Sequence, residues 1–178
     1  MARIPYAPLN DENADLAADI AAQRGSIPHL YRMLLHSRPI AAGWLNYLTA
    51  VRQQCKLSGD LRELVVMRIA ILNGAPYEAE QHRPVALKEG VSEAKLDALA
   101  HWEATAVFAP RERAVLAYTD AMTRNIRVPD DVFAAVRAEF SPRELVELTA
   151  TVGAYNMVSR FLEAMEIHGD DAVDGGHH

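Results

Sequence analysis

The sequence predicts an all-α protein, a bundle of helices joined by short connections. Three observations point there. Alanine supplies 30 of the 178 residues among many Leu, Arg and Glu, a composition that favours packed helices over a sandwich of Val, Thr and Tyr. Apolar residues recur at helical spacing almost throughout. No stretch shows period-two alternation beside a hairpin turn.

The elements follow in order. Residues 11–24 align Ala14, Leu16, Ala17, Ile20 and Ala21 along one stripe, which Gly25 ends. A short helix is expected over 29–37. After Pro39, which a first helical turn tolerates, the pattern continues through Ile40, Trp44, Leu45, Tyr47, Leu48 and Val51. Cys55 is also expected on a helix. Ser58-Gly59-Asp60 offers N-cap chemistry before a helix over 61–72, and Asn73-Gly74 breaks it. Pro76 opens the next helix, which runs to Lys88 and stops at Gly90. Ser92 caps a short helix through Leu99, and helices over 111–124, 129–140 and 142–168 complete the set. These form one domain over 1–169, with 170–178 read as a disordered tail whose His177-His178 pair is tail or tag remnant.

Composition excludes several classes. An apolar content of 50% argues against disorder, and a single chain of this length buries a core without disulfides. Lys plus Arg number 18 against 24 Asp plus Glu, for a net charge of −6 with no basic run, so nucleic acid is not an expected partner. One cysteine, Cys55, excludes an intramolecular disulfide, a Cys-x-x-Cys redox pair and a Cys-rich zinc site. No basic segment followed by an apolar stretch opens the chain, and no apolar run is long enough for a membrane span. A cytoplasmic protein with no membrane contact is the expectation.

Residues that carry chemistry gather after the Asn73-Gly74 break. At about 100° per residue, Glu78 and His82 share one helical face, where a carboxylate beside an imidazole suits a general acid or base. Ala75 lies near the same stripe and Tyr77 flanks it. An antiparallel return would bring this helix beside Glu63. There is also an echo: Leu61-Arg62-Glu63-Leu64-Val65 is matched by Pro142-Arg143-Glu144-Leu145-Val146, each opening an apolar helix after a Ser-containing cap. Only the first copy is followed by Tyr77, Glu78 and His82; the second continues into Tyr155-Asn156.

The stretch Arg62-Glu63-Leu64-Val65, Asn73-Gly74-Ala75-Pro76-Tyr77-Glu78, His82, Ala86 and Gly90-Val91-Ser92 resembles the core of the carboxymuconolactone decarboxylase and alkylhydroperoxidase-D-like superfamily. His36-Ser37, residues 110–114 and residues 152–161 extend the likeness over most of 25–168. Glu63 and His82 stand in the family's Glu and His positions, while Ala75 and Glu78 stand where its redox branch has two cysteines. A dithiol peroxidase needs one thiolate to attack and another to resolve. Ala75 and Glu78 do neither, so the resemblance implies the cysteine-free branch that includes the decarboxylase.

The resemblance further implies an alkylhydroperoxidase-D-like bundle assembled as a homotrimer or homohexamer, with the Ile40, Trp44, Tyr47, Leu48 and Val51 stripe as a buried subunit face. It implies a lyase without cofactor or metal, acting on a small organic acid or lactone. The catalytic set would be His82, which transfers the proton, Glu63, which orients His82 or relays its proton, and Glu78, which lines the pocket with Tyr77, Ala75, His36 and Arg68. Two alternatives are a peroxidase relative with an altered redox centre and a non-catalytic small-ligand binder.

Simpler readings stand beside each assignment. Asp60-x-x-Glu63 fits a capping box, as Ser141-x-x-Glu144 does. Glu78 and His82 fit an ordinary i,i+4 pair, and with Glu63 they could make a carboxylate-rich metal site. Tyr77 fits an interface plug and Trp44 a core position; His101-Trp102 fits a loop packed on the bundle. His36 fits a helix-end cation, and Arg68 either a snorkelling surface residue or a clamp for a substrate carboxylate.

Overall fold

The structure is a computed structural model that describes residues 1–173. Among the described residues it is all helical, with no strand. The order is α1 (Ala14–Arg24), α2 (His29–Leu34), α3 (Arg38–Thr49), a π-helical turn (Ala50–Gln54), α4 (Gly59–Asn73), α5 (Pro76–Lys88), α6 (Glu93–Ala98), a 3-10 turn (Leu99–Ala104), α7 (Pro110–Asn125), α8 (Asp130–Glu139) and α9 (Pro142–Met165).

The bundle is built around α4. Every residue from Leu61 to Ala70 is buried, because α5, α7 and α9 pack around it. A helix enclosed on all sides must pair its charges. Arg68 does so with Asp120 on α7, through two 2.7 Å hydrogen bonds, and also donates to the carbonyl oxygens of Leu99 and Ala100. The indole of Trp102, buried in the 3-10 turn, donates to the same Asp120. Arg68 is thus neither a surface residue nor a substrate clamp: its guanidinium is consumed in pinning α4, α7 and the 3-10 turn together.

Gly74 ends α4 in the left-handed conformation (φ 64°), which glycine adopts without a Cβ penalty. Pro76 then occupies the first turn of α5, where its missing N–H leaves no bond unmade. The resulting hairpin lays α5 back along α4. In α9, Ser141 accepts from the Glu144 amide while the Glu144 carboxylate accepts from the Ser141 amide, the expected capping box.

Several expectations need correction. Residues 11–13 form a turn before α1, because Asn13 donates to the Pro8 carbonyl and accepts from the Asn10 amide. Cys55 is not helical: it follows the π-helical turn in extended backbone and is half-buried. The helix expected over 142–168 ends at Met165. The two echoed segments also differ in register. Ser58 stands at the N-cap position of α4 three residues before Leu61, without a side-chain cap hydrogen bond, whereas Ser141 directly precedes Pro142. Glu63 therefore lies too deep in α4 to cap it, and the capping-box alternative fails for that residue.

The chain ends pack together in the described part. The Tyr6 hydroxyl donates to Asp171 at 2.7 Å, and the His168 amide donates to the same carboxylate. Arg3 donates to Glu166 and to the Ala164 carbonyl. Asp171 and the Val173 carbonyl are thus engaged by Tyr6 and Arg32, so this part of the tail is not loose, and the His177-His178 expectation lies outside the described residues. No helix among the described residues is long and apolar enough to cross a membrane.

Candidate active site

Glu63, in the second turn of α4, has no solvent exposure. Across the hairpin, His82 on α5 donates from Nδ1 to Glu63 Oε2 at 2.7 Å. The other Glu63 oxygen accepts from Arg62 Nε at 3.1 Å. Burial alone would raise the Glu63 carboxyl, but the hydrogen bond and charge of His82, with those of Arg62, hold it below the usual carboxylate range. Arg62 is fixed in turn, by the Arg52 carbonyl at 3.0 Å and by Glu89 at 3.3 Å. With Nδ1 committed to Glu63, Nε2 of His82 has no partner among the described residues and remains the atom that can exchange a proton.

His82 borders a cavity of about 240 Å³. Its walls come from the end of α1, α2, α3, the π-helical turn, α5 and α9. That volume suits a small organic molecule rather than a nucleotide-sized one. Tyr155 on α9 meets His82 edge-on, with ring centroids 5.1 Å apart. Burial holds the Tyr155 phenol well above its ordinary pKa, so the hydroxyl keeps its proton. Tyr77 also lines the wall, its ring stacked on His29 at 5.8 Å. Burial raises its phenol, and hydrogen bonds to the backbone of His29 and Leu30 oppose this.

Glu78 lines the cavity but departs from expectation. It is one turn from His82 yet does not pair with it. The residue is 2% exposed, and neither carboxyl oxygen has a hydrogen-bond partner among the described residues. Burial, with a smaller contribution from the charge of Glu163, pushes its pKa up to about 9. At neutral pH it is a protonated acid inside the wall. The i,i+4 ion pair with His82 does not form: the only side-chain hydrogen bond of the imidazole among the described residues runs from Nδ1 to Glu63, and burial keeps the Glu78 carboxyl neutral.

Two arginines complete the lining. Arg52 is half-buried on the π-helical turn, and its guanidinium has no partner among the described residues. Arg24 donates to the hydroxyls of Tyr31 at 3.3 Å and Thr49 at 2.9 Å, and makes no ion pair among the described residues. With Glu78 neutral and Glu63 engaged by His82 and Arg62, the wall is net cationic in a chain of net charge −6. An anionic ligand is the complement of such a wall.

The structure thus brings together Glu63 and His82, the pair that the family resemblance implies, and places Glu78 and Tyr77 in the cavity wall. Three other expected residues lie elsewhere. Ala75 is buried at the N-cap of α5 and does not line the cavity. His36 is exposed at the end of α2, with Nε2 2.8 Å from the Pro5 carbonyl oxygen. Arg68 is bound to Asp120, as described above. The residues that sequence reasoning missed are Arg52, Arg24 and Tyr155. Tyr155 stands inside the 152–161 stretch and could have been found there; nothing in the pattern marked the arginines. No group of three or more His, Cys, Asp or Glu converges as a metal site among the described residues.

A helical hairpin that buries a carboxylate–imidazole pair behind a small cavity defines the class of site. The family model for the carboxymuconolactone decarboxylase family matches residues 38–121, which span the hairpin. Escherichia coli K12 protein YnjA is 31% identical over 145 residues, covering 80% of this chain and 74% of that protein. This chain belongs to the carboxymuconolactone decarboxylase family. Among solved structures, the alkylhydroperoxidase AhpD core of a peroxidase-related protein from Ralstonia eutropha JMP134 is similar, with a TM-score of 0.81. The match is 19% identical and covers 96% of this chain and 93% of that one. The debrominase Bmp8 in complex with 2,3,4-tribromopyrrole has a TM-score of 0.78 at 16% identity, covering 94% of this chain and 93% of that one. At these identities the likeness concerns the fold.

Proposed function

We propose that this protein is an acid–base enzyme of lyase type, acting on a small carboxylated or lactone substrate through its side chains alone. The observation that carries the proposal is the buried Glu63–His82 pair, whose free imidazole nitrogen borders the cavity. Glu63 fixes the ring orientation, and Nε2 of His82 takes or returns the proton. Arg52 binds the substrate carboxylate, a role for which its unengaged guanidinium is suited. In a decarboxylation, carbon dioxide leaves, the electron pair moves into the enolate, and the proton from His82 completes the product.

The peroxidase alternative has less support. The positions of the thiol pair hold Ala75 and Glu78, and Cys55 does not line the cavity. Burial, then the charge of Glu147, pushes the Cys55 thiol up, away from the reactive thiolate. Screening carboxylated lactones with wild type and His82→Ala tests the proposal: turnover by wild type alone supports it, and equal turnover by both rejects the role of His82. Hydroperoxide consumption with a thiol donor, abolished in Cys55→Ala, would favour the peroxidase reading instead.

Self-association belongs to the same reading. Leu48 and Val51 of the expected subunit face are buried within this chain, whereas Ile40 (49% exposed) and Tyr47 (44%) are open beside Trp44. A homotrimer or homohexamer would cover them, and light scattering of the purified chain reads that directly.

A further inference from the structure

Glu78 is an anomaly that the acid–base pair does not explain. A buried polar group without a partner is uncommon in folded proteins, and here both oxygens of one side chain lack one among the described residues. The carboxyl is protonated at neutral pH, so it presents an O–H donor. Tyr155 is its counterpart on the facing helix. Its hydroxyl also lacks a hydrogen-bond partner among the described residues, and burial keeps it protonated. Both residues line the cavity that His82 borders: Tyr155 touches the imidazole edge-on, and Glu78 lies one helical turn away on α5.

We infer that Glu78 and Tyr155 together form a pair of uncharged hydrogen-bond donors for an enolate oxygen, so that the site takes small carbonyl compounds that enolise. Two neutral donors fixed in a buried wall stabilise charge that develops on an oxygen, with no reorganisation at the moment of reaction. A tyrosine paired with a protonated carboxylic acid serves the same purpose in another fold. In the step itself, the C–H bond α to the carbonyl breaks and its proton goes to Nε2 of His82. The electron pair of that bond moves to the carbonyl oxygen, which Glu78 and Tyr155 hold; return of the proton to carbon restores the carbonyl. A substrate carboxylate at Arg52 would orient the molecule.

The inference rests on the acid–base reading for its proton acceptor, but it concerns oxygen recognition, which a binding experiment isolates. The probe is 4-nitrophenol, whose phenolate resembles an enolate oxygen and whose colour reports its ionisation. Wild type is expected to bind it near neutral pH with the spectrum of the phenolate. Tyr155→Phe and Glu78→Met each remove one donor and should weaken binding about tenfold or more. Glu78→Gln keeps an N–H donor at the same place and should stay within a few-fold of wild type. His82→Ala should still bind the probe even though it cannot move a proton, so loss of turnover and loss of oxygen recognition are separable. No binding by wild type overturns the inference. So does undiminished binding by Tyr155→Phe or Glu78→Met, or a loss in Glu78→Gln as large as in Glu78→Met, which would mean that a carboxylate acts there.

Discussion

Replacing Glu78 by Met should stabilise the protein, and the gain should grow with pH. Met is of similar length, apolar and unbranched, so it fills the wall without leaving polar atoms unpaired. An unsatisfied buried polar group costs about 1–3 kcal/mol, and that is the gain expected while the acid is neutral in both states. The pH dependence follows from linkage. The Glu78 carboxyl has an ordinary pKa of 4.5 and about 9 in the folded protein. Between those values the folded protein retains a proton that the unfolded chain releases. Stability from this group is therefore complete below 4.5 and is lost as pH rises toward about 9, by at most about 1.4 kcal/mol per pH unit. Urea denaturation of wild type and Glu78→Met at about pH 5, 7 and 9 reads both effects. The Met variant should lead at every pH and lead most at the alkaline end, while Glu78→Gln flattens the pH slope without curing the unpaired group. A Met variant less stable than wild type at pH 7, or a lead that does not grow with pH, would refute the reasoning.

Other expectations follow from the same geometry. Glu63→Gln removes the charge that orients His82 and should lower turnover of a carboxylated substrate about 100-fold or more, as should His82→Ala, measured by kcat/KM. Arg52→Gln should raise KM for carboxylated substrates about 10-fold to 100-fold and leave uncharged analogues unaffected. Ile126 has a positive φ of 65° and is 87% exposed. It sits in a three-residue turn closed by the Arg127 amide and the Asn125 carbonyl. Ile126→Gly should relieve about 1 kcal/mol of backbone strain and raise Tm. Ser141→Ala removes the α9 cap and should destabilise by about 1 kcal/mol in chemical denaturation.

The fold was legible because its signals are local. Apolar spacing marks each long helix, and Gly74 with Pro76 marks the hairpin that brings α5 back along α4. The π-helical turn at Ala50–Gln54 has no such signature, and it is what directs Arg52 to the cavity. The Glu63–His82 pair follows from the family resemblance, because spacing alone equally allows Glu63 a capping role. Tyr155 was harder, because only tertiary packing brings α9 against α5. Arg68 shows the reverse error: a mid-helix arginine suggests anion binding, but its partner Asp120 is 52 residues away and no local pattern connects them. Glu78 lines the pocket as expected but does not bond to His82. Spacing places two side chains on one face, but it does not reveal whether they bond.

The account depends most on Glu63 holding His82 by Nδ1. Proton NMR of histidine-labelled protein near neutral pH tests this without any substrate. The prediction is a strongly downfield imidazole N–H resonance that is absent in His82→Ala and moves upfield in Glu63→Gln, where a neutral amide replaces the carboxylate. A resonance at the same position in Glu63→Gln and wild type would contradict it.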